Sequence, residues 1–304
     1  QERISGLLGF EAALFVPTGT QSNLCAVLAH CQRGDEYIVG QMHHCYRWEG
    51  GGAAVFGSVQ PQPIAHQPDG TLALADIEAA VKPDDAHYAR SRLLALENTL
   101  GGKLIPMAYI EEATALARRL GLATHLDGAR LFNAAVAQAA GGDPYAEAKR
   151  IAGCFDSVSV CFSKGLGAPV GSGLCGSREL IARARRVRKM AGGGMRQAGI
   201  LAAGANHALD HHVERLAQDH ALASRLAEGL AGIEGVEVEA PQTNMLFVEL
   251  TGPARERSAA LVRHLAQQGV LAVGLYRLRL VTHLDVDAAG IARAVAAIRQ
   301  FFAR

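Results

Sequence analysis

The chain has 304 residues, 49% of them apolar and 19% charged, with a formal net charge of +1. That composition excludes a disordered polypeptide, and the length exceeds what one hydrophobic core organises, so two domains are expected. Near-neutral charge without a Lys/Arg block argues against a nucleic-acid partner, and no apolar run nears the ~20 residues that cross a bilayer, so no membrane partner is expected and a cytoplasmic protein is.

In chain order, residues 17–23 read PTGTQSN, a small-residue turn that opens a helix running on to Cys31. Free N–H groups at such a start suit a phosphate, and Gly19 and Thr20 are the candidates to hold it. A strand at 37–39 leads to the pair His43 and His44, of which His44 is the candidate to exchange a proton near neutral pH and His43 reads as an exposed neighbour. The runs 53–56, 93–96, 123–126 and 157–161 read as further buried strands, with an amphipathic helix at 106–120. Strand and helix alternating in this way imply an α/β domain with a mostly parallel sheet, whose chemistry belongs at the carboxyl ends of its strands.

Two strand ends carry reactive side chains. The run 123–126 meets Asp127, followed three residues later by Arg130. The run 157–161 meets Ser163 and Lys164, then glycines 165, 167, 171 and 173. A lysine at a strand end can lose its charge and attack a carbonyl as an amine, and glycines there let backbone approach a flat ligand. The glycine loop is no dinucleotide fingerprint, because Pro169 and a strand-like run follow it instead of a helix. Arg196, in the glycine-rich segment at 192–197, is a further cation for a phosphate.

After residue 204 one long helix is expected at 205–230, joining a large domain (residues 1–215) to a smaller α+β domain (residues 216–304). The latter should hold strands at 236–239 and 245–249, a helix at 258–268, a strand pair ending near 281 and a terminal helix from 287. Arg277 and Arg279 fall on one face of that last strand, and alternation alone does not choose which would clamp a carboxylate. The basic run at 183–189 reads as a solvated helix face. His207 and His211 have metal-ligand spacing but no third ligand, and the six cysteines lack a C-x-x-C pair, so no metal site and only reduced thiols are expected.

Together, PTGTQSN, VGQMHHCYRWEGGGAAVFGSVQPQPI, LENTLGGKL, HLDGARLFNA, CFSKGLGAPVGS, RKMAGGGMRQAGILAAG, TNMLFVEL and RLVTHLD closely resemble the low-specificity L-threonine aldolases. Those belong to the β-eliminating-lyase branch of fold-type I pyridoxal 5'-phosphate enzymes, the aspartate aminotransferase type. The resemblance implies Lys164 as the Schiff-base lysine, Asp127 at the pyridine nitrogen and His44 against the ring as candidate base. It also implies Gly19, Thr20 and Arg196 at the phosphate, with Ser163 a further candidate there, and Arg130 with Arg279 at the substrate carboxylate. The implied activity is cleavage of L-threonine, L-allo-threonine and related β-hydroxy-α-amino acids to glycine and an aldehyde, in a homo-oligomer, dimer or tetramer, with sites at subunit interfaces. A lyase or transaminase on another amino acid, or a silent cofactor-binding protein, are the rival readings.

Two departures from the family pattern stand out. Members carry several dozen residues ahead of the segment matched by Gln1, with an Arg-Ser-Asp-Thr stretch that reaches the active site. A shortened chain or an incomplete site is the expectation. Leu100 stands where many members have a histidine associated with the substrate's side-chain hydroxyl, which points to a bulkier, less polar β-substituent.

Overall fold

The computed structural model describes residues 1–274 and 277–303 and divides into two compact units, Gln1–Val213 and Glu214–Arg304. The first is built on β1 (Ala12–Val16), β2 (Asp35–Gly40), β3 (Gln60–Ile64), β4 (Arg90–Glu97), β5 (Ala123–Gly128), β6 (Ser157–Cys161) and β7 (Ser172–Gly176). They form one sheet in the order β1-β7-β6-β5-β4-β2-β3. From β3 to β6 every pairing is parallel, whereas β7 runs antiparallel to both its neighbours. Leu93, Leu94, Leu126 and Val158 are buried on this sheet, as expected of parallel strands covered on both faces.

Because β4, β5 and β6 are adjacent and parallel, their last residues emerge along one edge, with Glu97 in register opposite Asp127. The helix Gly19–His30 packs Cys25, Ala26 and Ala29 against Leu14, Val16 and Leu174. Its start is capped by Thr18, whose Oγ1 accepts the Gln21 N–H at 3.1 Å. A Cβ at Gly19 would lie 2.7 Å from Cys161 Sγ, so glycine is what lets this helix start press against the end of β6.

The strands expected at 37–39, 93–96, 123–126 and 157–161 fall within β2, β4, β5 and β6, and the expected helix at 106–120 is Met107–Arg119. Two expectations are corrected. The run 53–56 is not a strand but part of the helix Gly52–Gly57, bracketed by Gly51 and Ser58 at φ 69° and 52°. A four-residue apolar run carries no period that separates the two forms. The single helix expected at 205–230 is two, Gly199–His211 and Leu216–Leu230. Between them His212 turns its Nδ1–H to the Leu166 carbonyl at 2.6 Å, and Val213 is buried.

The second unit holds an antiparallel sheet of β8 (Val236–Val238), β9 (Met245–Leu250) and β10 (Arg277–Val281), in the order β10-β9-β8. The helices Leu216–Leu230, Ser258–Gln267 and Ala288–Phe302 share its core, which includes Leu230, Leu246, Val248, Leu261, Leu278 and Ile298. Of the expected strand pair ending near 281, β10 is the second member, and Val273 bridges antiparallel to Arg279; residues 275 and 276, between them, lie outside the described residues. Among the described residues no helix is long and apolar enough to cross a membrane.

Candidate active site

A cavity of about 220 Å³ opens at the carboxyl edge of the sheet. Lys164 and Ser163 reach it from the loop after β6, Asp127 from the end of β5, and His44 from the turn after β2. Gly19 and Thr20, at the start of the Gly19–His30 helix, line its remaining wall with Asn23 and Cys161. Lys164 therefore shares a pocket with the carboxylate expected to partner it.

Beneath the cavity lies a hydrogen-bonded network. Asp127 is 3% exposed; its Oδ2 accepts from Asn23 Nδ2 at 2.8 Å and its Oδ1 from the Ala129 N–H at 3.0 Å. Asn23 Nδ2 also donates to Glu49 Oε1 at 2.9 Å, and the same Glu49 oxygen stands 2.8 Å from His44 Nδ1. Behind Asn23, its Oδ1 meets His125 Nε2 at 3.3 Å, and His125 Nδ1 meets Ser157 Oγ at 2.8 Å. Burial pushes His125 down to about 3, so this imidazole is neutral and supports the orientation of the Asn23 amide.

Three carboxyl groups crowd the same place. Burial, and then the neighbouring Asp127 charge, push Glu97 up to about 8, while its Oε2 accepts the His44 backbone N–H at 2.6 Å. Burial likewise raises Glu49, opposed by its hydrogen bond from His44. Ligand-type atoms of His44, Glu49 and Asp127 lie within 4.8 Å of one another, but Asn23 ties the two carboxylates together.

Of the residues singled out from sequence, Lys164, Asp127, His44, Gly19, Thr20 and Ser163 line this one cavity. Arg130 does not; as the residue before the helix Leu131–Ala139 it borders an adjoining hollow with Cys161 and Gly165. Arg196 is exposed and also not among the lining residues. Arg279 belongs to the second unit, on the exposed face of β10 beside Arg277, whose guanidinium carbon stands 4.0 Å over the Phe247 ring. His43, expected to be exposed, is instead the buried member of its pair, with Nδ1 accepting the Gly40 N–H, and burial lowers it to about 3. Leu100 approaches Gly70 and does not line the cavity. Gly171 and Gly173 leave room for the rings of Phe15 and Phe162 and not for a ligand. His207 and His211 are neighbours on the Gly199–His211 helix, their rings tilted by 50° with centres 4.4 Å apart.

Asn23, Glu49, Glu97 and His125 were not anticipated. A signal existed for His125, which shares a strand face with Asp127 two residues on. None existed for Glu49, which is brought to Asn23 only by folding.

Residues 1–253 match the family model described as β-eliminating lyase. The chain belongs to that family. Over all 304 residues it is 50% identical to the low specificity L-threonine aldolase of Escherichia coli K12, covering 88% of that protein. A solved threonine aldolase of Leishmania major superposes with a TM-score of 0.80 at 25% identity, covering 98% of this chain and 87% of that one. A serine palmitoyltransferase structure with pyridoxal phosphate shares the fold at 19% identity and a TM-score of 0.72, covering 98% of this chain and 75% of that one.

The lyase fold is therefore the fold-type I architecture, and its cofactor is pyridoxal 5'-phosphate. The cavity suits that group on its own chemistry. A buried carboxylate facing a cavity with only neutral donors attached is matched by a protonated ring nitrogen. The first N–H groups of the Gly19–His30 helix have no acceptor inside the helix and suit a phosphate. Lys164 supplies the amine.

Proposed function

We propose that this lyase cleaves L-threonine, L-allo-threonine and related β-hydroxy-α-amino acids to glycine and an aldehyde. One observation carries the reading: an amine, a buried carboxylate, an imidazole and an open helix start line one cavity in a chain half identical to a low specificity L-threonine aldolase. When bound, pyridoxal phosphate would supply an electron-accepting ring for the electron pair released by Cα–Cβ cleavage.

The chain's own residues do the rest. Lys164 would hold the cofactor through Nζ. Asp127 keeps a proton on the ring nitrogen, its carboxylate oriented by Asn23 and the Ala129 N–H. His44, which lines the cavity, would take the β-hydroxyl proton. Gly19, Thr20, Ser163 and Arg196 would hold the phosphate, while Arg130 and Arg279 would orient the substrate through its carboxylate. The larger domain, taken as residues 1–215, carries the cofactor, and residues 216–304 form the smaller one.

We take the working form to be a cytoplasmic homo-oligomer, a homotetramer or dimer, with sites completed between subunits; a monomer by light scattering would contradict this. The activity is tested by recording the protein's visible absorbance, adding L-threonine and assaying glycine. Lys164→Ala should abolish both the absorbance and turnover. 2-Oxobutanoate and ammonia in place of glycine and acetaldehyde would transfer the chain to β-elimination.

A further inference from the structure

The structure assigns Glu49 as the positioning residue that fixes the tautomer of His44. This inference rests on the reading of His44 as the group that takes the substrate's β-hydroxyl proton. Glu49 sits at the end of the turn after the helix His44–Arg47, and its side chain is only 5% exposed. Its Oε1 receives two groups at once, Asn23 Nδ2 at 2.9 Å and His44 Nδ1 at 2.8 Å. Asn23 has an N–H to give there, because its carbonyl oxygen is turned to His125 Nε2 and its amide also serves Asp127. A carboxylate oxygen accepts and does not donate, so the proton on the neutral His44 ring belongs at Nδ1.

Nε2 is then left with the bare lone pair, the one ring atom able to take a proton from a hydroxyl. The backbone of the same histidine is pinned separately, its N–H donating to Glu97 Oε2. Ring and backbone thus have different anchors. Removal of the Glu49 carboxylate would free the ring to turn without displacing the residue. Through Asn23, the same carboxylate ties the imidazole to Asp127, so the proton acceptor and the group at the ring nitrogen are held by one connected set of hydrogen bonds.

The test uses the cofactor-loaded enzyme carrying ¹⁵N-labelled histidine, with the His44 signals identified by their loss in His44→Asn. Nitrogen–proton correlation spectra above neutral pH should show the proton at Nδ1 and an unprotonated Nε2. In Glu49→Ala that preference should disappear, and kcat on L-threonine should fall ~10–100-fold with KM changed little, the usual size of losing an orienting partner. Glu49→Gln should keep the tautomer and recover most of kcat, since an amide oxygen has two lone pairs for the same two donors. A wild-type proton at Nε2, or an Ala variant with unchanged spectrum and kcat, overturns the assignment. If the Ala variant does not fold, the wild-type and Gln spectra still decide it. An enzyme with the Nδ1 proton that cleaves no β-hydroxy amino acid would sink the proposed function and leave this inference standing.

Discussion

Two buried polar clusters in the first unit are built on carboxylates, one on Glu36 alone and one on Glu49, Glu97 and Asp127, and Asp127 of the second lines a cavity. Glu36, on β2, is fully buried, and every oxygen is answered: Lys82 Nζ at 3.2 Å and Ser91 Oγ at 2.9 Å on Oε1, Gln60 Nε2 at 3.2 Å on Oε2. A countercharge is therefore present within the fold itself. Glu49, Glu97 and Asp127 are arranged otherwise. They neighbour one another, two of them share the neutral amide of Asn23, and Glu97 is driven up to about 8 by burial and by Asp127. Burial of charge by itself thus says little about function. A cluster of carboxyl groups beside an open space, with Lys164 and Arg130 as its nearby cations, says more, because it marks a place where a charged ligand can be held.

Replacement of one residue in each cluster should separate the two roles. Asp127→Asn should reduce kcat by ~10³-fold, the size of effect expected when a charge partner is lost inside a water-excluded site. Its urea midpoint should move far less than that of the second variant. Lys82→Met leaves Glu36 buried without its cation and should cost about 3 kcal/mol of folding stability, with kcat per folded molecule unchanged. Urea melts and steady-state rates on both variants give the comparison. If Asp127→Asn proved mainly a stability variant, or Lys82→Met mainly a catalytic one, the distinction between the clusters would be lost.

What could be read in advance follows from how local each signal is. Lys164 and Asp127 are legible because a reactive side chain at the end of a buried apolar run is a local fact, and parallel pairing then brings such ends together. The prolines of β3 conceal a strand, since Pro61 and Pro63 look like breakers until β3 is seen at the sheet's edge, where a missing N–H costs little. The break between Gly199–His211 and Leu216–Leu230 has no Gly or Pro to announce it; it depends on His212 reaching the loop after Lys164. Glu49 and Asn23 are illegible for the same reason. Their meeting is a property of the folded chain and not of either segment.

The smallest effect bears on the most perturbed member of the acidic cluster. Glu97 has its carboxyl raised from 4.5 to about 8 by burial and by Asp127. Between those values the folded protein holds a proton that the unfolded chain has released, so stability falls as pH rises through this window and levels off above it. The favourable contribution is complete only below the unfolded value. Glu97→Gln removes the titration while keeping an acceptor for the His44 N–H, so its urea midpoint should vary less than that of wild type between about pH 5 and about pH 8. Parallel pH curves for wild type and Glu97→Gln would mean that the crowding at the cavity is relieved within the protein, and the contrast between the two clusters would have to be abandoned.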